Sequence, residues 1–298
     1  MRLAYLILGH KDPEHIGRLS KKLSNYSDVY IHIDSSVDEI PFRKVVGSLD
    51  NVFFIQRRFR CWWGGYNVIQ AEIELLACAM QAQFYDRIVL LQGSDYPLKS
   101  GKEILSFFEL NKNVEFIHCT SCSRSKDPYL YRRCCCYWFY DNPNLLKRVW
   151  NKLNFLFSIP LRSKVIHEGN RILEIYWGCA QWAITGECAK YIIEFYLSHE
   201  KVNKWFKHAF PVDELYINTI VMNSKFSRNT FYKNQKTIKS LVNLRNLHYF
   251  EYPSMVKVFT AEDYKMLCGL DELYCRKVNT NESSDLLDMI DAAHNSVE

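Results

Sequence analysis

The chain has 298 residues, 48% hydrophobic and 24% charged, with a formal net charge of +5. That length can bury a large core, and the balance is that of a globular rather than a disordered protein. Its cations are scattered, with no long Lys/Arg tract, which argues against general nucleic-acid binding but leaves room for a localized basic pocket.

Residues 3–8 predict a strand, with no signal peptide or membrane-spanning run before it, so the expectation is a cytoplasmic protein. Asp12 suits an N-cap with Pro13 at the first helical position, and Ile16, Leu19 and Leu23 make that helix's inward stripe. Residues 29–33, ending at Asp34, and 52–55 predict two more strands. Gly64 and Gly65 precede a helix with Ile69, Ile73, Leu76 and Met80 at helical spacing. The apolar run 88–92 predicts a buried strand, after which Gly93 and Ser94 allow a sharp turn. Asp95 then falls at the strand's carboxyl end, where open α/β sheets place their ligands, though it could equally cap a turn. Pro97 stops the ladder, and Ser100 with Glu103 reads as a capping box for a helix over 102–110. Residues 114–119 predict a further strand. Such alternation implies an α/β fold with a mainly parallel central sheet and helices on both faces. No Walker loop or dinucleotide fingerprint is present.

From 122 to 164 the alternation fails, and Arg, Lys, Tyr, Trp and Cys dominate, as in a segment that covers a site. The chain holds eleven cysteines, and Cys134, Cys135 and Cys136 are consecutive, an awkward framework for disulfides and a sign of a reducing compartment. Cys119 and Cys122 have metal-ligand spacing but lack a second pair. Residues 145–160, opening on Leu145 and closing on Pro160, mix Lys147, Arg148 and Lys152 with Trp150, Phe155 and Phe157. This amphipathic stretch fits either a helix with its apolar side in the core or peripheral contact with an anionic membrane surface. Residues 175–185 predict a strand, followed by a helix carrying Ile192, Ile193 and Tyr196, and another helix starts near Asp213. Residues 1–278 thus read as one catalytic domain and 279–298 as a short polar tail with an amphipathic run at Leu286, Leu287 and Ile290.

Three groups of residues could carry chemistry. Asp213 and Glu214 open the later helix; one carboxylate suffices as a cap, which frees Glu214 as a general base kept ionised by the helix start. Gln181 and Trp182, with Trp177, could stack on a sugar and bond its hydroxyls, or form an ordinary aromatic core strand. Arg245 and the pair Arg276-Lys277 could converge on phosphate, or be solvated surface charges.

Together these segments resemble one family. Asp95 within residues 93–98, Gln181-Trp182 within 178–185, Asp213-Glu214 with Thr219-Ile220, and residues 273–277 are similar to the core-2/I-branching enzymes. These are β-1,6-N-acetylglucosaminyltransferases grouped with the protein xylosyltransferases. Residues 7–10 and 32–34 extend the match, which runs in order over nearly the whole chain. The resemblance implies a GT-A-type nucleotide-sugar-binding fold and inverting transfer of N-acetylglucosamine from a UDP-sugar to a glycan hydroxyl. It implies Glu214 as the base, His10, Asp34, Trp63, Asp95, Arg245 and Lys277 around the donor, and Gln181, Trp182 and Asp213 around the acceptor. It also implies no metal, since Asp95 stands where related folds carry a metal-binding acid pair and the sequence has no Asp-x-Asp. A chain of this kind would be a bacterial, cytoplasmic member acting on surface polysaccharide or glycolipid. The alternatives are a metal-dependent enzyme with Asp95 and Asp34 as ligands, a xylose-transferring one, and a sugar-binding protein without turnover.

Overall fold

A computed structural model describes residues 1–230, 238 and 240–295. Strand and helix alternate through β1 (Leu3–Gly9), α1 (Pro13–Ser24), β2 (Asp28–Ile33), α2 (Ile40–Val46), β3 (Val52–Phe54), α3 (Asn67–Ala82) and β4 (Arg87–Gln92). Next come β5 (Asp95–Pro97), α4 (Gly101–Leu110), β6 (Cys119–Ser121), α5 (Pro128–Cys135) and α6 (Leu145–Phe157). The hairpin β7 (Val165–Glu168) and β8 (Arg171–Glu174) leads to β9 (Tyr176–Gly178), β10 (Ala183–Thr185), α7 (Gly186–Ser198), α8 (Glu200–Phe206) and α9 (Tyr216–Met222). The last elements are β11 (His248–Tyr249), α10 (Tyr264–Cys268), β12 (Tyr274–Arg276) and α11 (Thr280–Asn295).

The main sheet has the order β10-β4-β1-β2-β3, parallel except for the edge strand β10. Side chains alternate across it. Ala4, Leu6, Ile88 and Leu90 pack on one face with α3 and α7, while Tyr5, Ile7, Val89 and Leu91 pack on the other with α1, α4 and α11. Both faces are therefore covered, as near-continuous apolar strands require. Local signals hold where expected: Asp12 caps α1 by accepting from the His15 N–H, and Ser100 and Glu103 form a reciprocal capping box. A second sheet, β11-β12-β5, sets Arg276 opposite Asp95. Because the chain builds β2 and β3 to one side of β1 and β4 to the other, a crevice opens beyond the carboxyl ends of β1, β2 and β4.

Four expectations need correction. Of residues 114–119 only Cys119 enters a strand; Phe116 bridges Ala183 at the sheet edge, and Glu115 turns inward to accept from the Thr185 N–H and hydroxyl. The run 175–185 splits into β9 and β10, and the intervening Cys179, Ala180 and Gln181 leave the ladder to line a cavity. The helix expected near Asp213 starts at Tyr216, after a turn in which Leu215 and Tyr216 both donate to the Val212 carbonyl. The expected polar tail is α11, whose Leu286, Leu287 and Ile290 are buried. Two of its acids are ion-paired, Arg18 reaching Asp288 and Asp291, and Thr280 at its first turn donates to Asp12. Among the described residues no helix is long and apolar enough to cross a membrane, and all eleven cysteines are free thiols.

Candidate active site

Two adjoining cavities occupy the crevice. The first, of about 380 Å³, lies at the ends of β1, β2 and β4 and is lined by His10, Lys11, His32, Asp34, Trp63 and Ser94 among others. Asp34 is fixed there by the Ser36 N–H at 2.7 Å, the Ser36 hydroxyl at 2.6 Å and the Cys61 N–H at 2.7 Å. Burial alone would raise its pKa, but these three donors hold it below the ordinary value. His32 accepts from the Phe59 N–H, and burial pushes its pKa down to about 4, so it is a neutral ring. Burial and then Lys11 also lower the pKa of His10. Trp63 stands 76% exposed at the rim. The next residue, Gly64, has φ +67°, and a Cβ there would meet the Phe210 ring at 2.5 Å, so glycine is needed to present that indole.

The second cavity, of about 570 Å³, shares Trp63, Gln92, Asp213 and Arg276 with the first and adds Glu214, Gln181, Arg133, Tyr129 and Trp138. Glu214 sits in the turn before α9, whose backbone is pinned: its carbonyl accepts from the Gly178 N–H and from Asn218 Nδ2. The carboxylate accepts from Trp177 Nε1 at 2.5 Å, and Arg133 Nη1 stands 4.0 Å away. Burial pushes its pKa up to about 7, with Arg133 and the Trp177 N–H opposing and Asp213 adding to the rise. The expected low pKa of a helix start does not apply, because Glu214 precedes the helix and lies in a low-dielectric wall. A carboxylate titrating near neutrality is suited to take a proton.

Asp213 faces both cavities, and its Oδ1 is buried without a hydrogen-bond partner among the described residues. Burial raises its pKa. Behind it, the fully buried Glu72 is likewise raised, by burial and then by Asp213, and neither of its oxygens is bonded among the described residues.

Asp95 lines neither cavity. It is fully buried, accepts from Arg276 Nη1 at 2.7 Å and the Gln92 N–H at 2.8 Å, and lies 3.3 Å from His248 Nε2. Burial would raise its pKa, but Arg276 and His248 outweigh it. Asp95 therefore anchors Arg276, and Arg276 is the group facing both cavities. Of the expected cations, Lys277 stands back from the lining, close enough to Lys11 that burial and then Lys11 depress its pKa. Arg245 is also outside both linings, turned onto the Val242 and Phe250 carbonyls and the face of Tyr249. Trp182 is 2% exposed, a core ring beside Glu72 rather than a stacking platform, because its strand lies under α3 and α7. The crevice thus gathers His10, Asp34, Trp63, Gln181, Asp213 and Glu214 from the expected set.

Lys11 and Arg133 are additions of the structure, whereas Trp177 and Arg276 carry out the roles expected next door, at Trp182 and Lys277. Arg276 is the last residue of β12 and Lys277 lies just past it, so strand periodicity does not say which of the pair faces the crevice. Arg133 lies in the cysteine-rich segment, held by the Tyr129 hydroxyl at 2.6 Å and stacked on the Tyr129 and Trp177 rings.

Residues 3–266 match a family model described as Core-2/I-Branching enzyme. The chain is 25% identical over 116 residues, 37% of its length and 27% of the relative's, to probable beta-1,3-galactosyl-O-glycosyl-glycoprotein beta-1,6-N-acetylglucosaminyltransferase 7 of Sus scrofa. It is 26% identical over 39% of its length, and 14% of the relative's, to xylosyltransferase oxt of Drosophila melanogaster. A longer match, 22% identical over 71% of this chain and 50% of the relative, is to the N-acetyllactosaminide beta-1,6-N-acetylglucosaminyl-transferase of Homo sapiens. These alignments span at most half of each relative. With a mainly parallel α/β sheet, a crevice at its switch point and a family match covering nearly the whole sequence, the chain belongs to the Core-2/I-Branching enzyme family.

Proposed function

We propose that the chain is an inverting, metal-independent glycosyltransferase that moves N-acetylglucosamine from a UDP-sugar to a glycan hydroxyl, in surface polysaccharide or glycolipid synthesis on the cytoplasmic side. The observation that carries the reading is Glu214: a pinned carboxylate with a pKa of about 7 in the wall of the larger cavity, across shared residues from the smaller one.

In this reading the nucleotide occupies the smaller cavity, with Asp34 accepting from ribose or base and Trp63 covering it. The diphosphate lies toward Arg276 and Lys11, with Lys277 behind; fixed cations stabilise the charge that builds on the leaving group. Arg276 keeps its orientation through Asp95. The sugar sits where the cavities meet, beside Asp213 and Gln92, and the acceptor enters the larger cavity past Gln181 and Tyr129. Glu214 takes the acceptor proton as that oxygen attacks the anomeric carbon opposite the departing UDP.

The test is turnover of UDP-N-acetylglucosamine, UDP-xylose, UDP-galactose and UDP-glucose, each with and without EDTA. Slow hydrolysis of UDP-N-acetylglucosamine indifferent to EDTA supports the proposal. Preference for UDP-xylose favours the chemistry named for the xylosyltransferase relatives. Loss of turnover in EDTA refutes the cation-only account, and donor binding without turnover over a broad acceptor panel points to a sugar-binding protein.

A further inference from the structure

We infer that α6 is a membrane-contact helix that seats the mouth of the larger cavity on an anionic lipid surface. Its orientation is the reverse of an ordinary surface helix. The side facing the protein is polar: Asn151 accepts from the Phe139 N–H and donates to the Phe139 carbonyl, while Asn154 and Trp150 both donate to the Tyr137 carbonyl. These four bonds fix the helix's rotation. Leu145, Val149, Leu153 and Leu156, spaced by four, four and three, then fall on the outer face, with Leu146 and Phe157 beside them. All six are exposed, Leu145 at 76% and Leu146 at 78%. From sequence alone a helix with its apolar side in the core is the favoured reading over a membrane contact; the structure turns that side to solvent.

The charge pattern selects the occupant. From Asn142 to Val165 the chain carries no acid, and α6 itself carries Lys147, Arg148 and Lys152. On the helical wheel Arg148 and Lys152 fall beside the apolar arc, and both are exposed. An apolar face flanked by cations lies flat at the boundary of headgroups and acyl chains, the apolar area and the attraction to anionic lipid adding. The helix also reaches the site: Phe155 lines the larger cavity, and its carbonyl accepts from Arg132, another lining residue. Resting on the proposed acceptor assignment, this places a lipid-linked glycan as the substrate class, presented from the membrane plane to the cavity's mouth.

The experiment is sedimentation with vesicles of phosphatidylcholine and phosphatidylglycerol, beside pure phosphatidylcholine, at low and high salt, using the full chain without donor or acceptor. The expected result is binding to the anionic vesicles that weakens with salt. The double variant Leu146→Ser/Phe157→Ser should bind at least tenfold more weakly, and Arg148→Glu/Lys152→Glu should lose the preference for anionic lipid. UDP-sugar hydrolysis by water should be unchanged in both, since none of these side chains lines either cavity, which also shows that the variants fold. Wild-type protein remaining in the supernatant overturns the proposal. So does concentration-dependent dimerisation abolished by Leu146→Ser/Phe157→Ser, which would make a second copy the occupant. Because vesicle binding needs no turnover, its failure is separable from failure of the glycosyltransferase assignment.

Discussion

Replacing Glu214 by glutamine should weaken catalysis and strengthen the fold, in a pH-dependent way. The carboxylate is pushed from an ordinary value of 4.5 up to about 7 by burial, so the fold holds the proton more tightly than the unfolded chain does. Its contribution to stability is fully present below about pH 4.5 and is lost as the pH rises through about 7. At pH 8 the ionised carboxylate therefore destabilises the protein by about 3 kcal/mol, from 1.36 kcal/mol per pKa unit. Glutamine keeps an acceptor for the Trp177 N–H and removes the charge. Thermal unfolding at pH 8 should rise by about 5 °C, with little change at pH 5, where the wild-type group is already mostly neutral. Transfer should fall by about 10²- to 10⁴-fold, the usual share of a general base, with UDP affinity nearly constant. Activity near wild type would remove Glu214 as the base. Lost activity with no gain in stability at pH 8 would refute the claim that burial holds its pKa up.

Three further outcomes follow from neighbouring contacts. Trp177→Phe removes a hydrogen bond to the Glu214 carboxylate, so the rising limb of the pH–rate profile should move up by about one unit; an unmoved limb would dissociate that pKa from Glu214. Asp95→Ala leaves Arg276 and His248 without their buried partner and should destabilise the protein by about 3 kcal/mol and weaken UDP binding, as read by urea unfolding and calorimetry. Because the Asp95 pKa is held below its unfolded value of 3.8, that contribution is present above pH 3.8 and disappears only as the pH falls further; a loss near neutral pH would contradict the assignment. Trp63→Ala should leave the unfolding temperature nearly unchanged, since the ring is exposed, yet raise the donor KM by roughly five- to tenfold if the indole covers the nucleotide.

Strand and helix succession in the first third was legible because β1, β2 and β4 are buried on both faces and read as unbroken apolar runs. Asp12 and Ser100 marked the helix starts through cap chemistry that acts within four residues. The site was legible only in part. Glu214 and Asp34 stood out as carboxylates beside apolar runs. What Asp95 does, by contrast, depends on pairing with a strand about 180 residues away, which local pattern cannot supply. Trp182 and Trp177 look alike in sequence and both are buried, but only the break of the chain between β9 and β10 turns one indole N–H toward Glu214 and leaves the other beside Glu72. The same limit applied to α6, whose orientation is decided by Asn151 and Asn154 bonding to residues 137–139, not by its apolar periodicity. The acids of α11 read as a solvated tail because their partners, Arg18 and Lys22, lie near the opposite end of the chain.

The most direct test of the central claim is the anomeric configuration of the sugar first released from an α-linked UDP-sugar, followed by proton NMR before mutarotation. Attack from the Glu214 side, opposite the leaving diphosphate, predicts the β-anomer as the first product. Initial release of the α-anomer would mean retention, and would contradict a single displacement with Glu214 as its base.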